Sequence, residues 1–272
     1  MEPFREIVNA DRDAWRNDEW LLTNGLGGYA SASLSGDTTR RYHGLLISAL
    51  PAPLGRMVML SHLMETVTLA DGKVVNLRRD EEAGSDAQSQ LRLWFRLEAG
   101  LPLWRYAIGE TVIEKRIVLP YRLNIVYITY RQIAGPGPIQ IELSPYLQFR
   151  AIEAAVNSAD RRYVLSVAGD RCEVTAGAGL PTLHLTIKGA PMALQLAGGA
   201  RQENPYRIEA ERGYESLGAP ATDRSNHGSV AVRLPQRSAR RRQFDCNDCF
   251  DTGSAPALRG FLGCVFQFHC VS

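Results

Sequence analysis

From Trp20 to Leu234 the apolar residues come in short runs, and glycine, proline, asparagine or aspartate breaks the chain between them. "RYHGLLISAL" (41–50), "LRLWFRLE" (91–98), "TVIEKRIVL" (111–119), "LNIVYITYR" (123–131) and "IQIELSPYL" (139–147) set the pattern, and "RYVLSVA", "RCEVTA", "TLHLTIK" and "MALQL" continue it. Several runs alternate apolar with polar residues, which is the period of a strand buried on one face. No long stretch keeps the i, i+3, i+4, i+7 spacing of a core helix. A parallel sheet is therefore excluded, since its crossovers need helices. Short strands at regular spacing with turn signals between them predict an all-β fold, a many-stranded antiparallel β-sandwich. Within "LMETVTLADGKVVNL" (63–77), Asp71-Gly72 predicts a two-residue type I′ hairpin tip. "PYRIEAERGYESLGAP" (205–220) reads as a short helix or an irregular crossing loop, and the polar stretch 79–90 as a mobile surface loop.

The chain has 272 residues, 45% hydrophobic and 22% charged. That is enough to bury a sizeable core, as one large domain or two small ones. The net charge of +2 gives no strong drive toward nucleic acid or an anionic membrane, and neither is expected as a partner. The N-terminus carries acids early and lacks an apolar core region, so it does not read as a signal peptide. No run approaches the roughly 18 apolar residues that span a bilayer, and the cytoplasm is the expected compartment. Beyond about Gln236 the text changes. Clean alternation stops, and Cys246, Cys249, Cys264 and Cys270 crowd the last segment, leaving only Cys172 elsewhere. The expected organisation is a sandwich domain over 1–239. An irregular, poorly packed tail over 240–272 follows, read from a shifted frame or lacking fixed structure.

Gly25-Leu26-Gly27-Gly28-Tyr29-Ala30 fits the spacing G-x-G-x-x-G/A of a dinucleotide fingerprint. The fingerprint works only where a helix N-terminus follows the glycines to receive the pyrophosphate. Here "YASASLSGD" follows, which alternates and then meets Gly36. No acidic residue lies between Asp37 and Glu65 to take a ribose. The glycines read instead as a tight turn between the strands "EWLLT" and "YASASLS", using positive φ that glycine adopts without steric cost.

Read more widely, Glu19-Trp20-Leu21, Thr23-Asn24-Gly25-Leu26-Gly27-Gly28-Tyr29, Thr39-Arg40-Arg41-Tyr42-His43-Gly44-Leu45-Leu46 and Pro53-Leu54-Gly55-Arg56 follow one another in order. Together they resemble the N-terminal domain of the bacterial and archaeal type of glycogen-debranching enzyme, an amylo-α-1,6-glucosidase. The likeness loosens through the strands, returns at "ERGYES" (211–216) and fades by about Ala239. The resemblance implies an antiparallel β-sandwich that precedes a helical (α/α) barrel. In such enzymes the barrel carries the carboxylates that hydrolyse α-1,6 branch linkages. The likeness covers the non-catalytic part only, and the chain is expected to stop before a barrel begins. It implies no cofactor, and as partner either the catalytic barrel or an α-glucan such as glycogen.

Asn24, Gly25, Gly27, Gly28, Arg40, Arg41, Tyr42 and His43 are the candidate substrate-binding or barrel-facing residues. Asn24 suits the turn, because asparagine tolerates the left-handed region and bonds its own backbone. Arginine and tyrosine hydrogen-bond sugar hydroxyls and stack on sugar faces. Because the strand alternates, Arg41 and His43 are expected to share one face and Arg40 and Tyr42 the other. The alternative is structural, with the arginines paired to local acids and His43 capping a turn. The loop 24–28 and the segment 39–43 are expected to approach each other. Glycoside hydrolysis needs two carboxylates facing across a sugar. Glu65, Glu98, Glu110, Glu114 and Glu142 stand in strand-like text and read as solvent-face charges, so no catalytic residue is assigned. Cys246, Cys249, Cys264 and Cys270 are weak zinc candidates, because the second pair lacks knuckle spacing. They support a rival reading as a zinc-binding interaction protein. A second rival is a free-standing glucan-binding module using exposed aromatics, with Trp94, Phe95, Trp104 and Tyr106 as candidates.

Overall fold

The computed structural model describes residues 5–7, 15, 17–78, 90–156, 163–168, 171–188, 192–196, 206–214, 228–234 and 264–271. Among these residues the chain forms seventeen strands and the short helix Arg207–Glu211, and Trp15 and Asn17 are also helical. In order they are β1 Arg5–Ile7, β2 Glu19–Thr23, β3 Tyr29–Ser33, β4 Gly44–Ala49, β5 Arg56–Thr68, β6 Val74–Asn76, β7 Leu91–Glu98, β8 Leu101–Ile108, β9 Thr111–Val118, β10 Ile125–Ala134, β11 Ile139–Ala151, β12 Val164–Ala168, β13 Arg171–Thr175, β14 Thr182–Lys188, β15 Met192–Leu196, helix α1 Arg207–Glu211, β16 Gly228–Leu234 and β17 Cys264–Val271. A nine-stranded sheet runs β1-β7-β8-β9-β10-β17-β14-β13-β12 and an eight-stranded one holds β15-β16-β11-β5-β4-β3-β2, with β6 on the side of β5. Every described pairing between adjacent strands is antiparallel. This is the sandwich that the alternating runs predicted.

One core fills the space between the sheets. Leu60, Leu63 and Val67 of β5 meet Ile113, Ile117, Ile128 and Tyr130 of the facing sheet in a single apolar cluster. Trp20 and Trp104 pack edge to face with ring centroids 5.4 Å apart, and the Trp104 indole N–H donates to the Leu34 carbonyl at 3.0 Å. Burying a side chain of this size contributes roughly 1.5–3 kcal/mol. Trp104 and Tyr106 are thus core residues and offer no face to a glucan. A cavity of about 20 Å³ between Trp20, Trp104, Tyr106, Glu65 and Lys115 holds a single water's volume and no sugar ring.

Three expectations change. Asp71-Gly72 does lie at a hairpin tip, but only Gly72 has positive φ (85°). The Gly72 N–H donates to the Leu69 carbonyl at 3.0 Å, so the turn centres on Ala70 and Asp71 with Gly72 in the left-handed position after it. That is a three-residue tip in place of type I′. Glu65 and Glu114, read as solvent-face charges, are buried. Each has a cationic partner: Lys115 for Glu65 at 2.7 Å and Arg131 for Glu114 at 2.7 Å.

The largest change concerns the tail. Cys264–Val271 is no irregular element but an eight-residue strand inside the nine-stranded sheet, between β10 and β14. Its alternation is real but brief. Phe268 and Cys270 enter the core while Gln267 and His269 stay half-exposed. The surface-loop reading of 79–90 falls, apart from Gln90, outside the described residues, as do residues 240–263 and 272 of the tail.

Candidate functional site

The glycine turn is held by Asn24, which is fully buried. Its side-chain oxygen accepts the N–H groups of Leu26 and Gly28, both at 3.0 Å. Its side-chain nitrogen donates to the Leu123 carbonyl at 2.9 Å and to Asn124 Oδ1 at 3.2 Å. Asn124 in turn holds β4, accepting the Ala49 N–H at 3.0 Å and donating to the Ala49 carbonyl at 2.7 Å. Two asparagines therefore tie the turn to the β9–β10 loop of the opposite sheet. Gly25 (φ 74°) and Gly27 (φ 94°) use the left-handed region. A Cβ on Gly25 would stand 2.3 Å from the Tyr121 ring, and one on Gly28 would stand 2.7 Å from the Ile47 carbonyl. β3 follows directly, and among the described residues no helix starts after the glycines.

Residues 37–43 are not a strand but a folded loop lying against the outer side of the eight-stranded sheet. The expected alternation of Arg41 and His43 against Arg40 and Tyr42 is therefore overturned. The physical reason is the histidine: buried His43 Nδ1 accepts the Thr39 N–H at 3.1 Å and folds the backbone back on itself. Nδ1 as acceptor puts the proton on Nε2, which faces Glu19 Oε1 at 3.3 Å. The same carboxylate oxygen accepts Arg40 Nε at 2.6 Å. The Arg41 N–H donates to Glu209 of α1 at 3.2 Å, and the Arg41 guanidinium reaches the Glu153 carbonyl at 3.1 Å. Buried Arg150 donates to the Arg41 carbonyl at 2.5 Å and to the carbonyls of Ile152 and Ala154, both at 3.1 Å. Tyr29, the residue after the glycine turn, donates its hydroxyl to the Tyr42 carbonyl at 2.8 Å. Tyr29 thus links the segment 39–43 to the start of β3, next to the loop 24–28.

Large aromatic and apolar side chains stand outward here beside the exposed Arg56 and Arg122. Tyr42 is 40% exposed with the Arg41 guanidinium 5.0 Å from its ring centre, and Tyr121 is 71% exposed. Leu26 and Leu123 are also exposed. Tyr29, Tyr121, Asn124, Arg150 and Glu209 escaped the sequence reading. Each acts across 13 or more residues of chain; Tyr29 closes one segment that carried the resemblance and Glu209 lies beside another, "ERGYES".

Burial lowers the His43 pKa from 6.5 to about 4, with Glu19 opposing the shift. The folded state then binds fewer protons than the unfolded chain between these values. Its contribution is complete above pH 6.5 and is lost as pH falls toward 4, by up to about 3 kcal/mol. His184 and His269, lowered first by burial, act in the same direction. Thermal melts at pH 7 and pH 4.5 are expected to differ strongly in the wild type and less in His43→Asn, whose amide oxygen can replace Nδ1. An unchanged pH slope in that variant would assign the acid sensitivity elsewhere.

Among the described residues no cluster of three or more histidine, cysteine or acidic side chains is arranged to hold a metal ion. Cys246 and Cys249 lie outside those residues. Cys270 is in the core, where burial raises its thiol pKa and Ser48 opposes the rise. Cys264 opens β17. Glu98 sits between Arg96 and Arg116, Glu110 is exposed and Glu142 is half-buried. Trp94 and Phe95 are half-buried, and Phe95 packs on Trp104 with centroids 5.2 Å apart. No helix among the described residues is long and apolar enough to cross a membrane.

Two antiparallel sheets, stapled at one end by an asparagine-held glycine turn and covered by a histidine-folded loop, define an all-β sandwich domain. The chain belongs to the glycogen debranching enzyme N-terminal family, whose sequence model matches residues 18–240. Among solved structures, a bacterial glucoamylase complexed with acarbose aligns with 100% of this chain and 34% of its own, at 8% identity and a TM-score of 0.42. The chain thus spans about a third of the length of that glucoamylase. No curated protein sequence matches.

Proposed function

We propose that the chain is the non-catalytic N-terminal β-sandwich of a cytoplasmic glycogen-debranching enzyme, bracing a helical catalytic barrel and helping to shape its glucan cleft. The family match over residues 18–240 carries this reading. The arrangement of the candidate residues supports it. Asn24, Arg40 and His43 are engaged inside the domain, where they set the shape of one surface. The Tyr42 ring, backed by Arg41, is what that surface presents. An exposed aromatic ring suits either a sugar face or a neighbouring domain.

Hydrolysis requires an acid and a second carboxylate held across the scissile bond. Glu65, Glu98 and Glu114 are instead tied to cations. The purified chain is expected to release no glucose from a limit dextrin with single-glucose branches. Steady release above a heat-treated control would overturn the reading. In a homologous enzyme that contains the barrel, alanine at the position of Tyr42 is expected to lower kcat/KM about fivefold, the equivalent of roughly 1 kcal/mol of aromatic contact. Unchanged activity and unchanged domain docking would reduce the ring to a surface feature.

A further inference from the structure

β17 is separated from β16 by residues 235–263 and lies beyond residue 240, where the family match ends. Yet it occupies the middle of the nine-stranded sheet. It pairs with β10 from Ile125↔His269 to Tyr130↔Cys264 and with β14 from Thr182↔Val271 to Lys188↔Val265. Because β17 is antiparallel to both, β10 and β14 run parallel to each other and share this one partner. Residues 18–240 alone would therefore leave a slot one strand wide. Two rows of backbone donors and acceptors would edge it. Its floor would be the core around Val126, Ile128, Leu183 and Leu185, into which Phe268 and Cys270 project.

We propose that this slot is a strand-acceptor site whose ligand is the segment 264–271, and that it takes the same segment in trans as well as from its own chain. Recognition is β-augmentation: main-chain hydrogen bonds on two sides supply affinity, and pockets for alternate side chains supply register. Phe268 is the anchor, only 2% exposed in the assembled sheet. The matching partner is an extended segment, antiparallel to β10, with apolar side chains at alternate positions. A second copy of this chain carries such a segment, which makes strand exchange between copies the natural consequence.

The test uses the full chain carrying Phe268→Asp and a fluorescent peptide of residues 262–272, "LGCVFQFHCVS". The substitution buries a charge without a partner and is expected to lower the melting temperature by roughly 10 °C or more. Saturating wild-type peptide, added during refolding, is expected to bind one to one and to recover most of that loss. The peptide with the same Phe268→Asp change is expected to do neither. If the substituted chain is insoluble, the yield of soluble protein on co-refolding with each peptide gives the same comparison, and the milder Phe268→Ser chain repeats it. A substituted chain that melts with the wild type, or one that saturating wild-type peptide fails to restore, would overturn the proposal.

Discussion

A chain ending at residue 239 is expected to lose its cooperative thermal transition. Read from the sequence, the last 33 residues are dispensable, and their removal should leave the melting temperature nearly unchanged. The structure reverses that expectation, because β17 pairs on both sides and seals the core with Phe268 and Cys270. Losing one side chain of phenylalanine size from a core costs about 3–5 kcal/mol. Uncovering Ile128 and Leu185 and stripping two strands of their backbone partners adds to it. Against a total stability of about 5–15 kcal/mol, the truncated chain has little left. Circular dichroism during heating decides the matter. A sharp transition within a few degrees of the full chain would show that β17 is no part of the core.

Lys115→Met is expected to destabilise the intact chain by about 3–5 kcal/mol. Glu65 of β5 and Lys115 of β9 belong to opposite sheets and meet in the core, 4% and 6% exposed. The ammonium lies 2.7 Å from Glu65 Oε1 and 2.9 Å from Oε2, and the Tyr130 hydroxyl also donates to Oε1. Lys115 Nζ stands 5.5 Å from the Trp104 ring centre. Such a pair adds little over an apolar pair of similar volume, but breaking it strands the carboxylate away from water. The double variant Lys115→Met with Glu65→Leu is therefore expected to recover much of the loss. Urea denaturation of the three chains measures this. A single variant within about 1 kcal/mol of wild type would mean that water reaches Glu65. Burial first, and then the Glu65 charge, raise the pKa of the nearby Tyr106 hydroxyl.

The sequence by itself determined the class of fold. Alternation along 91–147 places strands with little ambiguity, because a period of two can bury only one face of an extended chain. It also determined that Gly25, Gly27 and Gly28 form a turn between strands, since the text after them cannot start a helix. Tertiary structure decided what local patterns cannot encode. Glu65 and Lys115 look like ordinary polar positions in half-buried strands, and only the stacking of one sheet on the other makes them partners. Residues 39–43 have the composition of a strand, yet the bonds from His43 to the Thr39 backbone and from Arg41 to Glu209 bend them into a loop. The eight residues of β17 are too few to stand out after a long stretch without alternation. Their place is set by a slot whose two walls, β10 and β14, lie far upstream. Periodicity reports which face of a segment is buried. It does not report against what, and that was settled by partners distant in the chain.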